Sequence, residues 1–215
     1  GCGEPSPWPV ASFPEGRSDY GVYDMVGNVY EWTLDTYDSQ AYSRLGIDDP
    51  VHLDGSGRKV LRGNSWYYSD PGLDSRLSNR YVFPPSRFYP YIGFRCVFAG
   101  SDDRIHFVAS DALQSEPAVG LDRTWLERND QARQREGFFA DPVGQVLADM
   151  IQIPAGSFAM GSEIGQFHEL PVRDVFVDAF EMDRYEVSVA DYAECVSAGN
   201  CSEPYSGGPI FPKPW

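Results

Sequence analysis

The sequence is poor in several residue types and patterns, and each shortage argues against a class of function. Only three histidines and four cysteines occur, and no histidine stands at ligand spacing from a cysteine, so a zinc site is a poor interpretation. There is no run of about 18 apolar residues, and nothing in the chain therefore predicts a membrane span. The short motifs of serine hydrolases, phosphate-binding loops and dinucleotide-binding folds are also absent.

Basic residues are scarce as well. The sequence has 17 Lys and Arg against 32 Asp and Glu, which gives a formal charge of -15 at pH 7. Such a charge repels phosphate backbones and anionic lipid headgroups. We therefore predict no nucleic-acid partner and no membrane insertion, whereas a hard divalent cation is a suitable partner for so many carboxylates.

The composition predicts a loop-rich globule with few long helices, because 14% of the residues are aromatic and the chain contains 21 glycines and 17 prolines. At 215 residues the chain is long enough to bury a core without metal or disulfide staples. Local patterns predict short strands at 29–33, 60–62, 92–97 and 150–153. Alternation at period two extends strand-like patterning through 172–188, and a helix is predicted over 189–196 with Ser188 as its cap.

Two further segments have a distinct composition. Residues 64–91 are predicted to form a long loop that carries many aromatic side chains, which argues against disorder and favours a functional loop. Residues 101–148 alternate charged residues with sparse apolar ones, and a solvated helix is predicted over 122–136. We interpret this second segment as a linker.

Three motifs resemble the formylglycine-generating enzyme and sulfatase-modifying-factor family. They are GVYDMVGNVYEW at 21–32, the span from RGNSW at 62–66 to GFRC at 93–96, and MIQIPAGSFAMGS at 150–162. The resemblance covers residues 8–98 and 149–205. It implies a C-type-lectin-like α+β fold that is irregular, with short antiparallel strands, few helices and much ordered loop.

The order of these motifs is inverted, because the family domain begins near IPAGSF and ends at GFRC. Residues 1–100 resemble a C-terminal half, residues 101–148 form the linker, and residues 149–215 resemble an N-terminal half. Two interpretations stay open: a permuted domain, or a window cut across two tandem domains. A middle segment of the family domain has no counterpart here. One hypothesis is that a neighbouring chain, or another copy of this chain, supplies that segment.

The resemblance implies a calcium site in the YDMVGNVYEW motif. By position, its ligands are the side chain of Asp24, the carbonyls of Gly27 and Val29, and the carboxylate of Glu31. The chemistry is reasonable, since Ca²⁺ takes six to eight oxygens and a glycine-bearing turn lets carbonyls point inward between two carboxylates. The alternative is that these residues serve only the turn and that Glu31 is solvated.

The resemblance also bears on catalysis. The family's enzymes bind copper through two catalytic cysteines that follow RGGS, and the corresponding positions here are Tyr68 and Leu73. No cysteine at all occurs between Cys2 and Cys96. Neither Tyr nor Leu supplies a thiolate for Cu(I), so we assign no catalytic residue.

We therefore predict a non-catalytic recognition or structural module that presents the aromatic loop to a protein or glycan. Aromatic anchors among polar neighbours suit recognition surfaces. The predicted contact residues are Trp66, Tyr67, Tyr68, Arg76, Arg80, Tyr81, Phe88, Tyr89 and Tyr91. Arg76 and Arg80 could instead anchor the core. The resemblance implies that anchoring role for Arg62 and Arg95. Two rival functions remain: an oxidative enzyme of the formylglycine-generating type, and a hypervariable ligand-display domain.

The cysteines favour export. Cys195 and Cys201 are separated by five residues across a short turn, and we predict a local disulfide between them. An even cysteine count fits a secreted, periplasmic or cell-surface protein. The family's GFRC cysteine pairs with a cysteine of the missing middle segment, so Cys96 either pairs with Cys2, is free, or pairs with another chain.

Overall fold

The computed structural model describes residues 6–54, 57–67, 76–87, 89–99 and 150–203. The predicted linker with its helix at 122–136 lies outside the described residues, and so do four of the singled-out positions, Cys2, Tyr68, Leu73 and Phe88.

The largest sheet is built from four short strands of the first segment. They are β1 (Tyr30–Thr36), β2 (Lys59–Arg62), β3 (Tyr81–Phe83) and β4 (Ile92–Gly93). The sheet order is β3-β2-β1-β4, with antiparallel pairing except for the parallel β1–β4 pair. The predictions at 29–33 and 60–62 are confirmed.

Strand β3 corrects the prediction that 64–91 is entirely loop. Its three residues are too short a run to show a period in the sequence, and their strand geometry comes from pairing with β2, where Val82 lies opposite Val60. The single strand predicted at 92–97 is also divided. Its first part is β4, and its last residue begins β5 (Val97–Ala99), which belongs to a different sheet.

The second sheet joins the two segments that resemble halves of the family domain. Its order is β5-β9-β6, where β6 is Met150–Ile153 and β9 is Phe180–Asp183. Both pairings are antiparallel, with Phe98 opposite Glu181 and Ile151 opposite Met182. A strand that precedes residue 100 thus pairs with a strand that follows residue 149, so the two segments pack against each other.

The remaining elements are a hairpin and short helices. Strands β7 (Gly156–Met160) and β8 (Arg173–Val177) pair antiparallel. Helix α1 (Ala41–Arg44) was not predicted, whereas α2 (Val189–Ser197) confirms the helix predicted at 189–196. Ser188 caps α2 by accepting a hydrogen bond from the Asp191 backbone in a capping box. Two 3-10 turns, Pro14–Gly16 and Phe167–Glu169, also lie in the described part of the chain.

The core lies under the four-stranded sheet. Tyr30, Leu61 and Tyr91 form its buried centre, and partly buried aromatic side chains pack around it. The predicted α+β class, with short antiparallel strands and few helices, is confirmed. Within the described residues, no helix has the length and apolar character needed to cross a bilayer.

Candidate functional site

The predicted calcium ligands lie in a turn and in the start of β1 that follows it, a segment that we call the 24–31 loop. Its backbone enters the left-handed region at Asp24 (φ 56°), Gly27 (φ 99°) and Asn28 (φ 53°). Glycine and short polar residues tolerate this conformation, which reverses the chain tightly before the strand starts. Asp24 accepts a hydrogen bond from the Ala11 backbone at 2.7 Å, and Glu31 is the second residue of β1.

Glu31 is held by a guanidinium rather than solvated. Arg95 donates from Nε and Nη2 to the two oxygens of Glu31, at 2.8 Å and 2.5 Å. The same guanidinium donates to the carbonyls of Tyr23, Asp183 and Arg184. Arg95 is almost fully buried and thereby anchors the 24–31 loop to β9, which confirms its predicted role as a core anchor.

A third carboxyl group at this site was missed by the sequence analysis. Glu186 is buried and accepts hydrogen bonds from the Asn28 side-chain amide and, at 3.3 Å, from the Val29 backbone. Burial, together with the nearby charge of Glu31, raises the pKa of Glu186 to about 8. Its only signal in the sequence was membership in the alternating 172–188 stretch, which does not identify a polar partner.

The chemistry of the donor set fits a hard cation. Asp24, Glu31 and Glu186 all lie within electrostatic reach of the Arg95 guanidinium, so three carboxyl groups surround this cation at the loop. Carboxylates and backbone carbonyls are the ligands that Ca²⁺ prefers. No group of three or more His, Cys, Asp or Glu side chains in the described part of the chain is placed to hold a metal. A cation here would therefore depend on carbonyl ligands as well as on Asp24 and Glu31.

The predicted aromatic contacts that the structure describes, together with Phe83 and Tyr30, form a continuous chain of ring contacts, which we call the aromatic ladder. In order, its members are Trp66, Tyr67, Tyr91, Tyr89, Phe83, Tyr81 and Tyr30, with centroid distances from 4.8 to 6.0 Å. Tyr67 is 57% exposed, whereas Tyr30 is 1% exposed. The ladder thus runs from the surface into the core, and each ring pair adds about 1 kcal/mol beyond its buried area.

The two predicted arginine contacts are engaged elsewhere. Arg76 forms a two-bond ion pair with Glu169, and Arg80 is buried and donates to the carbonyls of Asp38 and His168. The Arg80 guanidinium also lies over the Tyr42 ring, 4.6 Å from its centroid. These contacts correspond to the core-anchoring alternative for both residues.

Arg62 and the cysteines follow the predicted pattern. Arg62 donates to the carbonyls of residues 77–79, which confirms its structural role. The disulfide between Cys195 and Cys201 is confirmed, with its Cα atoms 5.3 Å apart. Cys96 carries a free thiol among the described residues, and burial beside Asp183 raises the pKa of that thiol to about 12, so it is protonated at neutral pH.

An irregular α+β fold with this loop and these motifs defines a known class. The family model described as the sulfatase-modifying factor enzyme 1-like domain matches residues 4–99 and 135–211, well over half of the chain. The chain belongs to this FGE-sulfatase family.

Individual relatives share parts of the chain. The formylglycine-generating enzyme of Mus musculus is 33% identical over 138 residues, which cover 59% of this chain and 37% of that protein. The inactive C-alpha-formylglycine-generating enzyme 2 of Mus musculus is 35% identical over 91 residues, or 41% of this chain and 25% of that protein. The serine/threonine-protein kinase Pkn1 of Chlamydia trachomatis is 39% identical over 90 residues, or 41% of this chain and 14% of that protein.

The chain therefore spans less than half the length of each of these curated relatives. A comparison with the solved structures gives no match.

Proposed function

We propose that this chain is a non-catalytic, calcium-binding recognition module of the sulfatase-modifying-factor type, which presents its aromatic ladder to a protein or glycan partner. The observation that carries the proposal is the ladder itself, which exposes Tyr67 at one end and is buried at Tyr30 at the other. An exposed ring fixed by stacking on buried rings loses little conformational entropy on binding, so it is a good anchor for a partner.

The non-catalytic part rests on the sequence at the positions that follow RGNS. Tyr68 and Leu73 stand where the family's enzymes carry thiolates, and the nearest cysteine after Cys2 is Cys96. Cys96 is half-buried beside Asp183, and its raised pKa keeps it as a thiol, which is a poor ligand for Cu(I). One relative, the inactive C-alpha-formylglycine-generating enzyme 2 of Mus musculus, shows that similar proteins include one named as inactive.

The calcium part rests on charge. The ligands would be the side chains of Asp24 and Glu31 and the carbonyls of Gly27 and Val29. When bound, calcium would supply the positive charge that the loop's carboxylates lack beside a single guanidinium. Arg95 would orient the Glu31 carboxylate through its two hydrogen bonds, and Asn28 would hold Glu186 through its amide.

The partner class follows from the ring chemistry and the net charge. Tyrosine rings offer an apolar face and a polar hydroxyl, which suit both the apolar faces of sugars and protein surfaces. The charge of -15 disfavours polyanions. The Cys195–Cys201 disulfide supports a secreted, periplasmic or cell-surface location, because such bonds persist in oxidising compartments.

The calcium proposal is tested by isothermal titration of the full chain with CaCl₂. We expect one saturable site, and we expect Asp24→Asn and Glu31→Gln to weaken it by at least about tenfold, or about 1.4 kcal/mol. The exposed Glu163→Gln is the matched control and should leave the affinity unchanged. Absence of saturable binding to the wild-type chain would remove calcium from the proposal.

The recognition proposal is tested by screening the chain on a glycan array and against a displayed peptide library. Binding to the hits should fall by about tenfold or more in Tyr67→Ala, because truncation removes the exposed anchor of the ladder. Phe158→Ala, which removes a side chain that is 52% exposed on β7, should bind normally. Equal binding by both variants would contradict the ladder's role. Conversion of a cysteine peptide to formylglycine by the copper-loaded chain would contradict the non-catalytic assignment.

A further inference from the structure

We propose that calcium at the 24–31 loop fixes the position of the aromatic ladder through the protein main chain, so that recognition depends on calcium although the ion does not touch the partner. This inference rests on the proposed function and adds a regulatory link between its two parts. It rests on hydrogen bonds and on one close backbone approach, which together connect the loop to both ends of the ladder.

The first connection joins the loop to the exposed end of the ladder. The Asn28 carbonyl, inside the loop, accepts a hydrogen bond from the Trp66 backbone at 2.8 Å. The Gly27 backbone donates to the Gly63 carbonyl at 2.7 Å. Trp66 is the first ring of the ladder and contacts Tyr67 edge-on at 5.6 Å. A displacement of the 27–28 peptide is therefore transmitted directly to the residues that carry these rings.

The second connection joins the loop to the buried rings. The Tyr30 backbone, directly before Glu31, donates to the Tyr91 carbonyl at 2.8 Å. The Tyr30 ring stacks on Tyr81 at 4.9 Å, and the Tyr91 ring stacks on Tyr67 at 4.8 Å. The residue next to a proposed ligand is thus part of the ladder itself, and its backbone is hydrogen-bonded to the backbone of Tyr91, whose ring supports Tyr67.

The close approach occurs at Gly63, where the chain leaves β2. Its φ of +90° is in the left-handed region, and a Cβ atom there would lie 3.4 Å from the Met25 carbonyl oxygen and 3.8 Å from that of Val29. The loop carbonyls therefore pack against the Gly63 main chain without an intervening side chain. Rotation of the Val29 carbonyl, one of the proposed ligands, changes the space available to Gly63 and to the residues that follow it.

Charge explains why the loop would respond to the ion. Asp24 and Glu31 both act on the Arg95 guanidinium, so without a further cation the negative charge at the loop is only partly balanced. A divalent ion would draw the carboxylates and carbonyls together and hold the loop in one arrangement. Coupling between two sites typically changes an affinity by about 5- to 150-fold, which is the range expected for a partner of the ladder.

The test is hydrogen exchange of the full chain, read at individual amides by NMR, with CaCl₂ or with EGTA. With calcium, the Trp66 amide and its indole N–H, which donates to the Pro90 carbonyl, should exchange about tenfold or more slowly. The amides of the β7–β8 hairpin are the internal reference and should not change. Glu31→Gln with calcium should resemble the wild-type chain in EGTA at Trp66, and Glu163→Gln should resemble the wild-type chain with calcium.

The outcomes separate this inference from the proposal beneath it. Saturable calcium binding by titration with unchanged exchange at Trp66 overturns the coupling and leaves the proposed function in place. Equal slowing at Trp66 and in the β7–β8 hairpin also overturns it, because the ion would then stabilise the whole fold without a specific path. No calcium binding overturns the calcium part of the proposed function and the coupling together. The wild-type comparison alone is decisive if Glu31→Gln does not fold.

Discussion

Replacing Arg76 with methionine is expected to destabilise the fold strongly, because it leaves the Glu169 carboxylate buried without its partner. The two guanidinium nitrogens of Arg76 donate to the two Glu169 oxygens at 2.9 and 2.7 Å. The Glu169 side chain is completely buried, and a Cβ atom on Gly165 would overlap its carboxylate. The pair also links the two segments, since 93 residues separate its partners.

The expected loss is about 3 kcal/mol. Removing one partner of a buried pair costs about 3–5 kcal/mol, and the lower end applies here because the Arg76 side chain is 19% exposed and admits water. Such a loss is a large share of a typical folding free energy of about 5–15 kcal/mol. The double variant Arg76→Met/Glu169→Gln has no uncompensated charge. Its loss of unfolding free energy should therefore be about 2 kcal/mol smaller than the sum of the losses in the two single variants.

The assay is urea denaturation at pH 7, followed by tryptophan fluorescence and circular dichroism together. Arg87→Met is the matched control, since Arg87 is exposed, and it should change the unfolding free energy by less than about 0.5 kcal/mol. Additive losses in the double variant, or a loss in Arg76→Met no larger than that of the control, would refute the assignment of a strong buried pair.

Acidification supplies a second readout of the same pair. Hydrogen bonds to Ser78, the Gln166 backbone and Arg76, with the Arg76 charge, outweigh burial and lower the pKa of Glu169 below its ordinary 4.5. A depressed carboxyl pKa gives stability that is present above 4.5 and is lost as pH falls through the folded value. Glu169→Gln should therefore show a weaker acid dependence than the wild-type chain.

Three further predictions concern two buried side chains and the disulfide. In EGTA, the free energy of unfolding should fall by a few kcal/mol as pH rises from about 5 to about 8, because the pKa of Glu186 is raised to about 8. Glu186→Gln should abolish this pH dependence in denaturation experiments, and an unchanged pH dependence would contradict the assignment. Burial and the nearby Arg80 charge lower the pKa of His168 below 6.5. The stability that neutral His168 gives above pH 6.5 should therefore be lost as the pH falls, and His168→Gln should remove that loss in acid denaturation. Cys195→Ser/Cys201→Ser should lower the unfolding free energy by about 2 kcal/mol, the value for a disulfide that closes a short loop. If a reducing agent leaves the unfolding free energy of the wild-type chain unchanged, a stabilising disulfide is contradicted.

Local features of the fold were predictable from the sequence because the residues that define them are close together in the chain. The Cys195–Cys201 disulfide closes a short turn, and the Ser188 cap lies three residues from Asp191. Strands β1, β2 and β6 were found from apolar periodicity over a few residues. The family motifs are local in the same sense, and they led to the family that the comparisons assign.

Features that depend on distant contacts were not predictable in this way. Strand β3 is set by its pairing with β2. The predicted strand at 92–97 is divided because its first residues pair with β1 in one sheet and its last residue pairs with β9 in another. Periodicity and propensity describe a residue and its near neighbours, so they contain no information about which distant strand lies beside it.

The candidate site shows the same division most clearly. The motifs alone were enough to locate the loop with Asp24, Gly27, Val29 and Glu31, the aromatic content of the 64–91 segment, and the absence of the family's thiol pair. The folded chain was needed to show that Glu186, 158 residues after Asn28, lies beside the loop, and that Arg76 and Arg80 anchor the core. A buried charge needs a partner, and folding determines which partner lies within hydrogen-bond distance.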